Sequence, residues 1–394
     1  MVGQGGVAAP AARPAGLTSW ATASATTTSP TATHGAASGL THRKAERREG
    51  REPPGRSGQE AVIAPAPQSL PLPRLFALNA TRDLGQAVAG ALGWPLARHE
   101  EREFEDGEHK IRPLESVEGA DVFVLQSLHG GPHQSPDEKL CRLLFFIGAL
   151  KDAGAARVTA VTPYLCFARK DRWTKPFDPV TQRYLAQMIE AVGTDAVVTL
   201  DVHNPAAFQN AFRIRTVALT AAALFAERFT PVGPEPVCVL SPDPGGVKRA
   251  EVVREALEAR LGRPVDKAFA DKHRSAGVVS GDLLVGPVQG ATVLIVDDLI
   301  STGGTLLRAA RAARAAGAKQ VTAATTHGLF MPGAAELLTD PAIDRLMVTD
   351  AVPPFRLTDD ALRLKVETVS IVPLLAEAIQ RLHRHGPVED LITY

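Results

Sequence analysis

The chain has 394 residues, of which 45% are hydrophobic and 22% charged, a balance typical of globular proteins. Its 43 basic and 43 acidic residues cancel, so the charge gives no support to binding of nucleic acid or of an anionic membrane surface. Three cysteines without a close pair argue against a disulfide framework or a cysteine zinc site and predict a reducing, cytoplasmic environment.

Residues 1–70 differ from the rest of the chain. They consist mainly of Ala, Thr, Ser, Gly and Pro, with a basic cluster, HRKAERREGREPPGR, near their end. Because they lack periodic apolar residues that could offset the ordering entropy, we predict that this segment is disordered. A low-complexity tail or translation from an upstream start codon explains it, and an organelle transit peptide is the alternative, since the first acid is Glu46.

Beyond residue 70, short apolar segments alternate with helical ones, as in parallel sheets whose strands are buried on both faces. Nine segments are predicted strands: RLFALN, DVFVLQ, RVTAVTP, AVVTLD, VCVLSP, TVLIVDD, QVTAATT, RLMVTD and ETVSIV. No apolar run is long enough for a membrane span.

One helix is predicted in detail, between Ser135 and Gly154. Ser135 is the expected N-cap, Pro136 fits the first turn, and Glu138 completes a capping box. Leucine and isoleucine recur along one face, and Gly154 ends the helix.

The two halves of this region repeat a strand, a helix, a Gly-Ala turn and a strand. We therefore predict an α/β fold with two tandem domains, each a mainly parallel sheet flanked by helices. The expected domains are residues 71–220 and 221–372, and residues 373–394 are expected to complete the first one. Ligands of such sheets bind at the carboxyl ends of the strands.

The segment VLIVDDLISTGGTLL, residues 293–307, ends a strand in two acids and continues into a Ser/Thr/Gly loop before a helix. Backbone N–H groups at a helix N-terminus bind anions, whereas carboxylates accept hydrogen bonds from hydroxyl groups. A sugar phosphate satisfies both. A nucleotide hydrolase would need a G-x-x-x-x-G-K-[ST] loop, which the sequence lacks, and a glycine-rich turn beside chance acids is the purely structural alternative.

This segment resembles the 5-phosphoribosyl-diphosphate-binding motif of type I phosphoribosyltransferases. From about residue 73 to its end, the chain resembles the ribose-phosphate diphosphokinase, or PRPP synthetase, family. Six further segments match that family in order: FEDGE (104–108), PYLCFARKDR (163–172), TLDVH (199–203), SPDPGGVKRA (241–250), DKHR (271–274) and VSIVPLLAEAI (369–379).

The resemblance implies two phosphoribosyltransferase-like domains and transfer of diphosphate from Mg-ATP to the C1 hydroxyl of ribose 5-phosphate. The products would be 5-phosphoribosyl 1-diphosphate and AMP. The expected cofactor is Mg²⁺, and the expected partners are the two substrates and further copies of the chain, as a dimer or hexamer. In the family, the FEDGE stretch reaches the ATP site from a neighbouring subunit.

The resemblance also implies the roles of individual residues. The expected catalytic cations, on a loop that closes over the reacting phosphates, are Lys272 and Arg274. The expected ribose 5-phosphate site consists of Asp297, Asp298, Ser301, Thr302, Gly303, Gly304 and Thr305. The expected ATP site consists of Phe104, Asp106, Glu108, Arg169, Lys170, Arg172 and His203. The expected diphosphate loop contains Asp243, Gly245 and Gly246, and the expected metal ligands are Asp201, His203 and Asp243.

Elementary chemistry gives partial support to these roles. Asp201 and His203 are two residues apart at a strand end and share a face, and Mg²⁺ prefers oxygen, which favours Asp201 as the ligand. Two glycines after Asp243 allow close approach of a phosphate chain. Without the family context, DKHR would be a surface charge cluster and Phe104 a core residue.

The chain departs from the family at several positions. Lys170 stands where the family usually has Gln, and Ser301 where it has Asp, while a family acid is missing near Arg213. The segment LHGGPHQSPDEKL also differs. Near the C-terminus, Glu389 and Asp390 replace serines, and like charge disfavours phosphate binding, so we expect weak activation by inorganic phosphate and weak regulation by ADP.

Two other functions fit parts of the sequence. A phosphoribosyltransferase would share the sugar-phosphate motif, and a non-catalytic regulatory relative would share the fold. The repeated domain, the Lys-x-Arg pair and the FEDGE stretch favour the diphosphokinase.

Overall fold

The computed structural model describes residues 72–231, 233–275 and 278–392, and the side chains of residues 272–282 and 361 lie outside this description. The predicted disorder of residues 1–70 therefore concerns residues that lie outside the described part. Among the described helices, none combines the length and the apolar character needed to cross a bilayer.

The strands of the described part are β1 Pro73–Ala77, β2 His99–Glu103, β3 His109–Pro113, β4 Asp121–Leu125, β5 Arg157–Thr162, β6 Ala196–Leu200, β7 Arg215–Leu219, β8 Val237–Ser241, β9 Asp266–Ser275, β10 Val278–Val285, β11 Thr292–Ile300, β12 Gln320–Gly328, β13 Arg345–Thr349 and β14 Val366–Val369. The α-helices are α1 Arg82–Leu92, α2 Pro136–Asp152, α3 Thr181–Ala191, α4 Pro205–Ala211, α5 Ala222–Arg228, α6 Val247–Leu261, α7 Gly304–Ala315, α8 Ala334–Thr339, α9 Asp360–Arg363 and α10 Val372–His383.

The first sheet is parallel throughout, with the strand order β1-β4-β5-β6-β7. Strands β4 and β6 are buried along their full length, as expected for strands covered on both faces. A separate antiparallel hairpin, β2 and β3, carries the FEDGE turn.

The second sheet has the order β10-β9-β8-β11-β12-β13-β14, and only its β9–β10 edge is antiparallel. Strand β8 lies between β9 and β11 in the sheet. The chain continues from β8 to β9 and β10 on one side and then crosses to β11 on the other side. The strand order reverses between β8 and β11, and such a switch point opens a crevice at the carboxyl ends of the two strands. The loops after these strands are therefore expected to meet at one site.

Three apolar cores hold the layers together. One core joins the two sheets through α1, α5, α6 and α10. The other face of the first sheet packs against α2 and α3, and the other face of the second sheet packs against α7 and α8. The predicted α/β class with mainly parallel sheets flanked by helices is confirmed.

The C-terminal helix α10 packs against the first sheet. Its His383 is hydrogen-bonded to Asp121 at 2.8 Å, and Arg157 donates to the carbonyl of Leu382 at 2.9 Å. Ile392 forms a bridge with Leu219 of β7. The end of the chain therefore covers strands formed by its first half, although the predicted domain boundaries remain a prediction.

All nine predicted strands are present, and α2 begins as predicted. Ser135 accepts from the Glu138 backbone N–H, and the Glu138 carboxylate accepts from the Ser135 N–H, which forms the predicted capping box. Strands β2, β3, β7, β9 and β10 were not predicted, because their polar residues lack the continuous apolar pattern of the buried strands.

Candidate active site

The loop after β11 leads directly into α7. Gly303 has a φ of 83°, and a side chain there would lie 2.8 Å from Leu337, so the turn requires glycine. The following helix has 12 residues and no acid in its first turn, which leaves its N-terminal N–H groups free to attract an anion. The loop residues Ser301–Thr305 line a pocket together with Arg169 and His203.

The two acids before this loop are held by basic side chains from other elements. The Arg249 guanidinium lies 3.3 Å from Asp297 and 3.5 Å from Asp298. His203 Nδ1 lies 2.7 Å from Asp298 Oδ2. Both predicted sugar-binding carboxylates are thus oriented by residues of other elements. Arg249 lies in the first turn of α6, and His203 lies just after β6.

The surroundings shift the pKa values of the two carboxyl groups in opposite directions. Burial, followed by the charge of Asp298, raises the pKa of Asp297 to about 8. Burial also raises the pKa of Asp298, but the hydrogen bond with His203 and the charge of Arg249 outweigh it and hold that pKa well below its usual range. The hydrogen bond with Asp298 raises the pKa of His203. Protonation is therefore favoured at Asp297 over Asp298, and both carboxyl groups can accept hydrogen bonds from sugar hydroxyls when ionised.

The loop after β8 forms a short 3₁₀ turn, Pro244–Gly246. Asp243 caps this turn by accepting from the Gly246 N–H at 3.0 Å. A side chain at Gly246 would lie 2.7 Å from Ser241 Oγ, so a larger residue there would displace the Ser241 hydroxyl. Gly245 and Gly246 of the predicted diphosphate loop both line the cleft described below.

The end of β6 carries the other predicted metal ligands. Asp201 has the unusual φ of 38°, and its Oδ2 accepts from the Ala221 N–H and from Thr326 Oγ1. The side chain is buried, and its Oδ2 is already engaged in these two hydrogen bonds within the fold. His203 is more exposed, and its Nε2 is left for a ligand, since Nδ1 binds Asp298.

These loops line one cleft with a volume of about 560 Å³. Its walls include the predicted residues Arg172, Asp201, His203, Asp243, Gly245, Gly246, Asp297 and Asp298. Because His203, Asp243 and the two adjacent acids also line the pocket of the Ser301–Thr305 loop, the cleft and that pocket adjoin. The structure therefore brings the predicted sugar-phosphate and diphosphate segments together.

Lys170 lies in a different environment from the one expected. Its ammonium group forms an ion pair with Asp178 and donates to Thr174 Oγ1 at 3.0 Å. Asp178 also accepts from the backbone N–H groups of Thr174 and Lys175, and these hydrogen bonds, the Lys170 bond first, hold the pKa of Asp178 well below its usual range. Lys170 thus closes its own loop and does not line the cleft.

The FEDGE stretch forms a separate pocket. Phe104, Asp106 and Glu108 line it, together with the neighbouring residues Arg102, Glu103 and Glu105 of the same hairpin. Phe104 is exposed rather than part of the core, and the Arg102 guanidinium lies 5.2 Å from its ring centroid. This pocket shares no lining residue with the cleft of the same chain.

The predicted catalytic cations lie on β9, next to β8 at the switch point. The backbones of Lys272 and Arg274 pair with those of Asp282 and Val279 on β10. Their side chains lie outside the described residues.

Several site residues were missed by the sequence analysis. Arg249, which pairs with both acids, follows the two glycines of the diphosphate loop in SPDPGGVKRA. Asp171 and Asn204 line the cleft and are hydrogen-bonded at 2.6 Å. Arg249 and Asp171 lie within the quoted family segments, but their partners are far away in the chain.

The cleft offers carboxylate oxygens to a metal ion, but the described residues do not form a complete set of protein ligands. Among the described residues, no group of three or more His, Cys, Asp or Glu side chains is placed to hold a metal ion. Asp171, Asp201, Asp243 and the acid pair supply carboxylates around the cleft. Mg²⁺ commonly keeps several waters and uses one or two carboxylates plus substrate phosphates, so this donor set fits it.

Comparison with known protein families gives two matches. Residues 73–193 match the N-terminal domain of ribose phosphate pyrophosphokinase. Residues 278–392 match the phosphoribosyl synthetase-associated domain. The matches cover both halves of the folded part.

Whole proteins give the same result. The chain is 38% identical over 322 residues to ribose-phosphate pyrophosphokinase 2 of Enterococcus faecalis, covering 81% of this chain and 95% of that protein. It is 36% identical to ribose-phosphate pyrophosphokinase 1 of Streptococcus pyogenes over 81% of this chain and 97% of that protein. The crystal structure of phosphoribosylpyrophosphate synthetase from Mycobacterium smegmatis matches 80% of this chain and 100% of its own, with 33% identity and a TM-score of 0.66. The chain belongs to the ribose-phosphate pyrophosphokinase family.

Proposed function

We propose that this enzyme transfers diphosphate from ATP to the C1 hydroxyl of ribose 5-phosphate, giving 5-phosphoribosyl 1-diphosphate and AMP. One observation supports this function most strongly. An anion-binding helix N-terminus, a hydroxyl-binding acid pair and a second glycine loop surround one cleft at a switch point of the sheet. Ribose 5-phosphate and the diphosphate of ATP together use all three features, and the product 5-phosphoribosyl 1-diphosphate uses them as well.

In the proposed complex, the Ser301–Thr305 loop binds the 5-phosphate with its backbone N–H groups and hydroxyls. Asp297 and Asp298 hold the ribose hydroxyls and direct C1 towards the diphosphate loop. Their fixed orientation by Arg249 and His203 reduces the entropy lost on reaching the reactive geometry.

The C1 hydroxyl oxygen then attacks the β-phosphorus of ATP in line. The bond from that phosphorus to the α-phosphate oxygen breaks, AMP leaves, and the hydroxyl proton passes to water or a phosphate oxygen. Lys272 and Arg274 stabilise the charge on the phosphates during the transfer, as positioned cations do in other phosphoryl transfers.

The proposed cofactor is Mg²⁺, with Asp243 and the carboxylates around the cleft as its holders. When bound, the ion would neutralise phosphate charge. Asp201 is a weaker holder than the sequence suggested, because its Oδ2 accepts two hydrogen bonds within the fold.

The proposed ATP site uses Arg169, Arg172 and His203 of one chain. Phe104, Asp106 and Glu108 form their own exposed pocket, which supports the proposal that they complete the adenine site of a neighbouring copy. An active dimer or hexamer follows from this proposal. A cytoplasmic location is proposed from the cysteines, all three of which are free.

The decisive experiment incubates the purified protein with Mg-ATP and ribose 5-phosphate and identifies the products. AMP and 5-phosphoribosyl 1-diphosphate in equal amounts are expected. ADP would instead indicate a simple kinase. Consumption of the diphosphate sugar with a free base, in the absence of ATP, would indicate a phosphoribosyltransferase.

A further inference from the structure

The segment after β13 connects the two sheets beside the sugar-phosphate loop. Ser127, just after β4 of the first sheet, donates its hydroxyl to the Ala351 carbonyl at 2.6 Å. Five residues later, Arg356 donates to the Gly130 carbonyl at 2.8 Å and to the Leu329 carbonyl at 3.0 Å. Gly130 follows β4, whereas Leu329 follows β12. One guanidinium therefore joins a loop of each sheet.

The geometry of Arg356 favours a fixed position. Its guanidinium lies 4.4 Å from the ring centroid of Phe355, so the planar group is held from one side by an aromatic ring. Both of its described hydrogen bonds go to backbone carbonyls, and a guanidinium presents its donors in a rigid fork. A lysine would keep the charge but could not reproduce this double contact.

The Leu329 end of this contact leads directly to the sugar-phosphate loop. The Leu329 N–H donates to the Ile300 carbonyl at 2.9 Å, and the Met331 N–H donates to the Ser301 carbonyl at 2.9 Å. Ser301 is the first residue of the loop that lines the proposed phosphate pocket. A shift of residues 329–331 would therefore move the start of the loop.

The Gly130 end lies in LHGGPHQSPDEKL, the segment that departs from the family pattern. The segment contains a buried lysine. The side chain of Lys139 is buried, with its Nζ 3.4 Å from His129 Nε2 and 3.5 Å from the Ser127 carbonyl. Through the Gly130 carbonyl, Arg356 links this segment to the loop after β12.

We propose that Arg356 is a positioning residue for the sugar-phosphate loop: it fixes Leu329, and through it Ser301, against the Gly130 turn. The inference rests on the proposed function of the Ser301–Thr305 loop. Backbone N–H groups bind a phosphate well only when they are held within a fraction of an ångström of the productive geometry. Loss of the fork should therefore weaken ribose 5-phosphate selectively.

The test compares Arg356→Gln and Arg356→Lys with the unchanged enzyme in steady-state kinetics. We expect KM for ribose 5-phosphate to rise about tenfold in both variants, because displacements of about 1 Å weaken catalysis by up to about 100-fold. KM for ATP should stay within about twofold, since the described hydrogen bonds of Arg356 go to Gly130 and Leu329 and not to the ATP loops. Hydrogen exchange of the Leu329 and Met331 amides should become faster in both variants.

Arg314→Gln is the matched control. Arg314 donates to three backbone carbonyls, those of Ala342 at 3.1 Å, Lys319 at 2.6 Å and Ala318 at 3.4 Å, and pairs with Asp344. It lies at the opposite end of α7 from the loop. This variant should leave both KM values unchanged. If Arg356→Gln does not fold, Arg356→Lys provides the same comparison.

Three results would overturn the inference. They are an unchanged KM for ribose 5-phosphate, equal rises in both KM values, and full rescue by lysine, which would assign the effect to charge rather than to the fork. Failure of the unchanged enzyme to form AMP would instead overturn the proposed function. In that case the exchange of the two amides would still decide whether Arg356 holds the loop.

Discussion

The sugar side and the nucleotide side of the cleft are built in different ways. On the sugar side, one continuous segment, Asp297–Thr305, supplies the acids and the anion-binding loop, and partners from three other elements fix it. On the nucleotide side, the predicted residues are distributed between the cleft, the closed loop around Asp178 and the exposed β2–β3 hairpin.

The difference shows how much a motif can imply about a site. A segment that contains all the groups for one ligand keeps them together wherever the fold places it. Residues that belong to separate segments depend on the loops that carry them, as Lys170 does in its ion pair with Asp178. We therefore expect substitutions on the sugar side to be more damaging.

The largest effect is expected from Lys272→Ala combined with Arg274→Ala, which acts on both sides at once. Turnover should fall by about 10³-fold or more, because cations at the transferring phosphates stabilise the transition state. Both KM values should change little. The control is Lys267→Ala, because Lys267 lies on the same strand, β9, and its ion pair is with Glu251 of α6. Nearly full activity of the double variant would exclude the catalytic role.

Arg249→Gln tests the sugar side alone. Removing the guanidinium leaves two buried acids without their shared cation, so they should repel and lose their orientation. We expect kcat/KM for ribose 5-phosphate to fall by about 100-fold. Arg254→Gln, on the same helix but paired with Glu251 and Glu258, should have little effect on kinetics. An equal loss in both variants would mean general damage to α6.

Lys139→Met tests how the buried lysine in the segment that contains Gly130 affects the stability of the protein. Burial, then the charge of Arg356, lowers the pKa of Lys139 from 10.5 to about 8. The unfolded chain therefore binds more protons between pH 8 and 10.5, so stability of the unchanged protein rises with pH in that window and carries the full penalty below it.

We expect Lys139→Met to increase the free energy of unfolding at pH 7 by about 1–3 kcal/mol, since one pKa unit corresponds to about 1.4 kcal/mol. The gain should disappear near pH 10.5, as measured by urea unfolding across the range. Lys151→Met, on the same helix and paired with Asp195, should show no such gain. A gain that does not depend on pH would point to packing instead of charge.

Lys170→Gln introduces the residue usual in the family and tests the nucleotide side. Because Lys170 is engaged by Asp178 within its own loop, we expect KM for ATP to change by less than about threefold. Asp178→Asn should have a larger effect, since it loosens the loop that carries Arg172. A strong loss of ATP binding in Lys170→Gln alone would show that the ammonium group meets ATP directly.

The smallest effect is expected from inorganic phosphate. Asp390 forms an ion pair with Arg381. The negative charges of Glu389 and Asp390 disfavour the binding of a phosphate ion beside them. Millimolar phosphate should stimulate activity by less than about twofold in a titration at constant ionic strength. Strong stimulation would contradict the expectation drawn from Glu389 and Asp390.

Much of the fold could be predicted because its signals are local. The capping box of Ser135 and Glu138 spans four residues, and the buried strands consist of continuous apolar residues. Strand β7, RTVAL, begins with an exposed arginine followed by a threonine, and the β2 strand HEERE carries mostly charged residues, so neither is a continuous apolar run.

The site could be predicted only in part. The Asp297–Thr305 segment is recognisable from its own residues. The partners that orient it are not, because Arg249 and Asp297 are 48 residues apart, and His203 and Asp298 are 95 apart. The Arg249 pair depends on the strand order, which places β8 beside β11, and the His203 pair depends on the packing of the first sheet against the second. The ion pair of Lys170 with Asp178 depends likewise on a loop conformation.

The packing of α10 against the first sheet has a consequence for synthesis of the protein. Asp121 can contact His383, and Arg157 can contact Leu382, only after almost the whole chain has left the ribosome. Until then, the apolar face that α1 and β1 present to α10 remains uncovered, and domains that expose such surfaces during synthesis are prone to aggregation. The early half of the enzyme therefore depends on its last residues, and truncation there should reduce soluble yield before it affects chemistry.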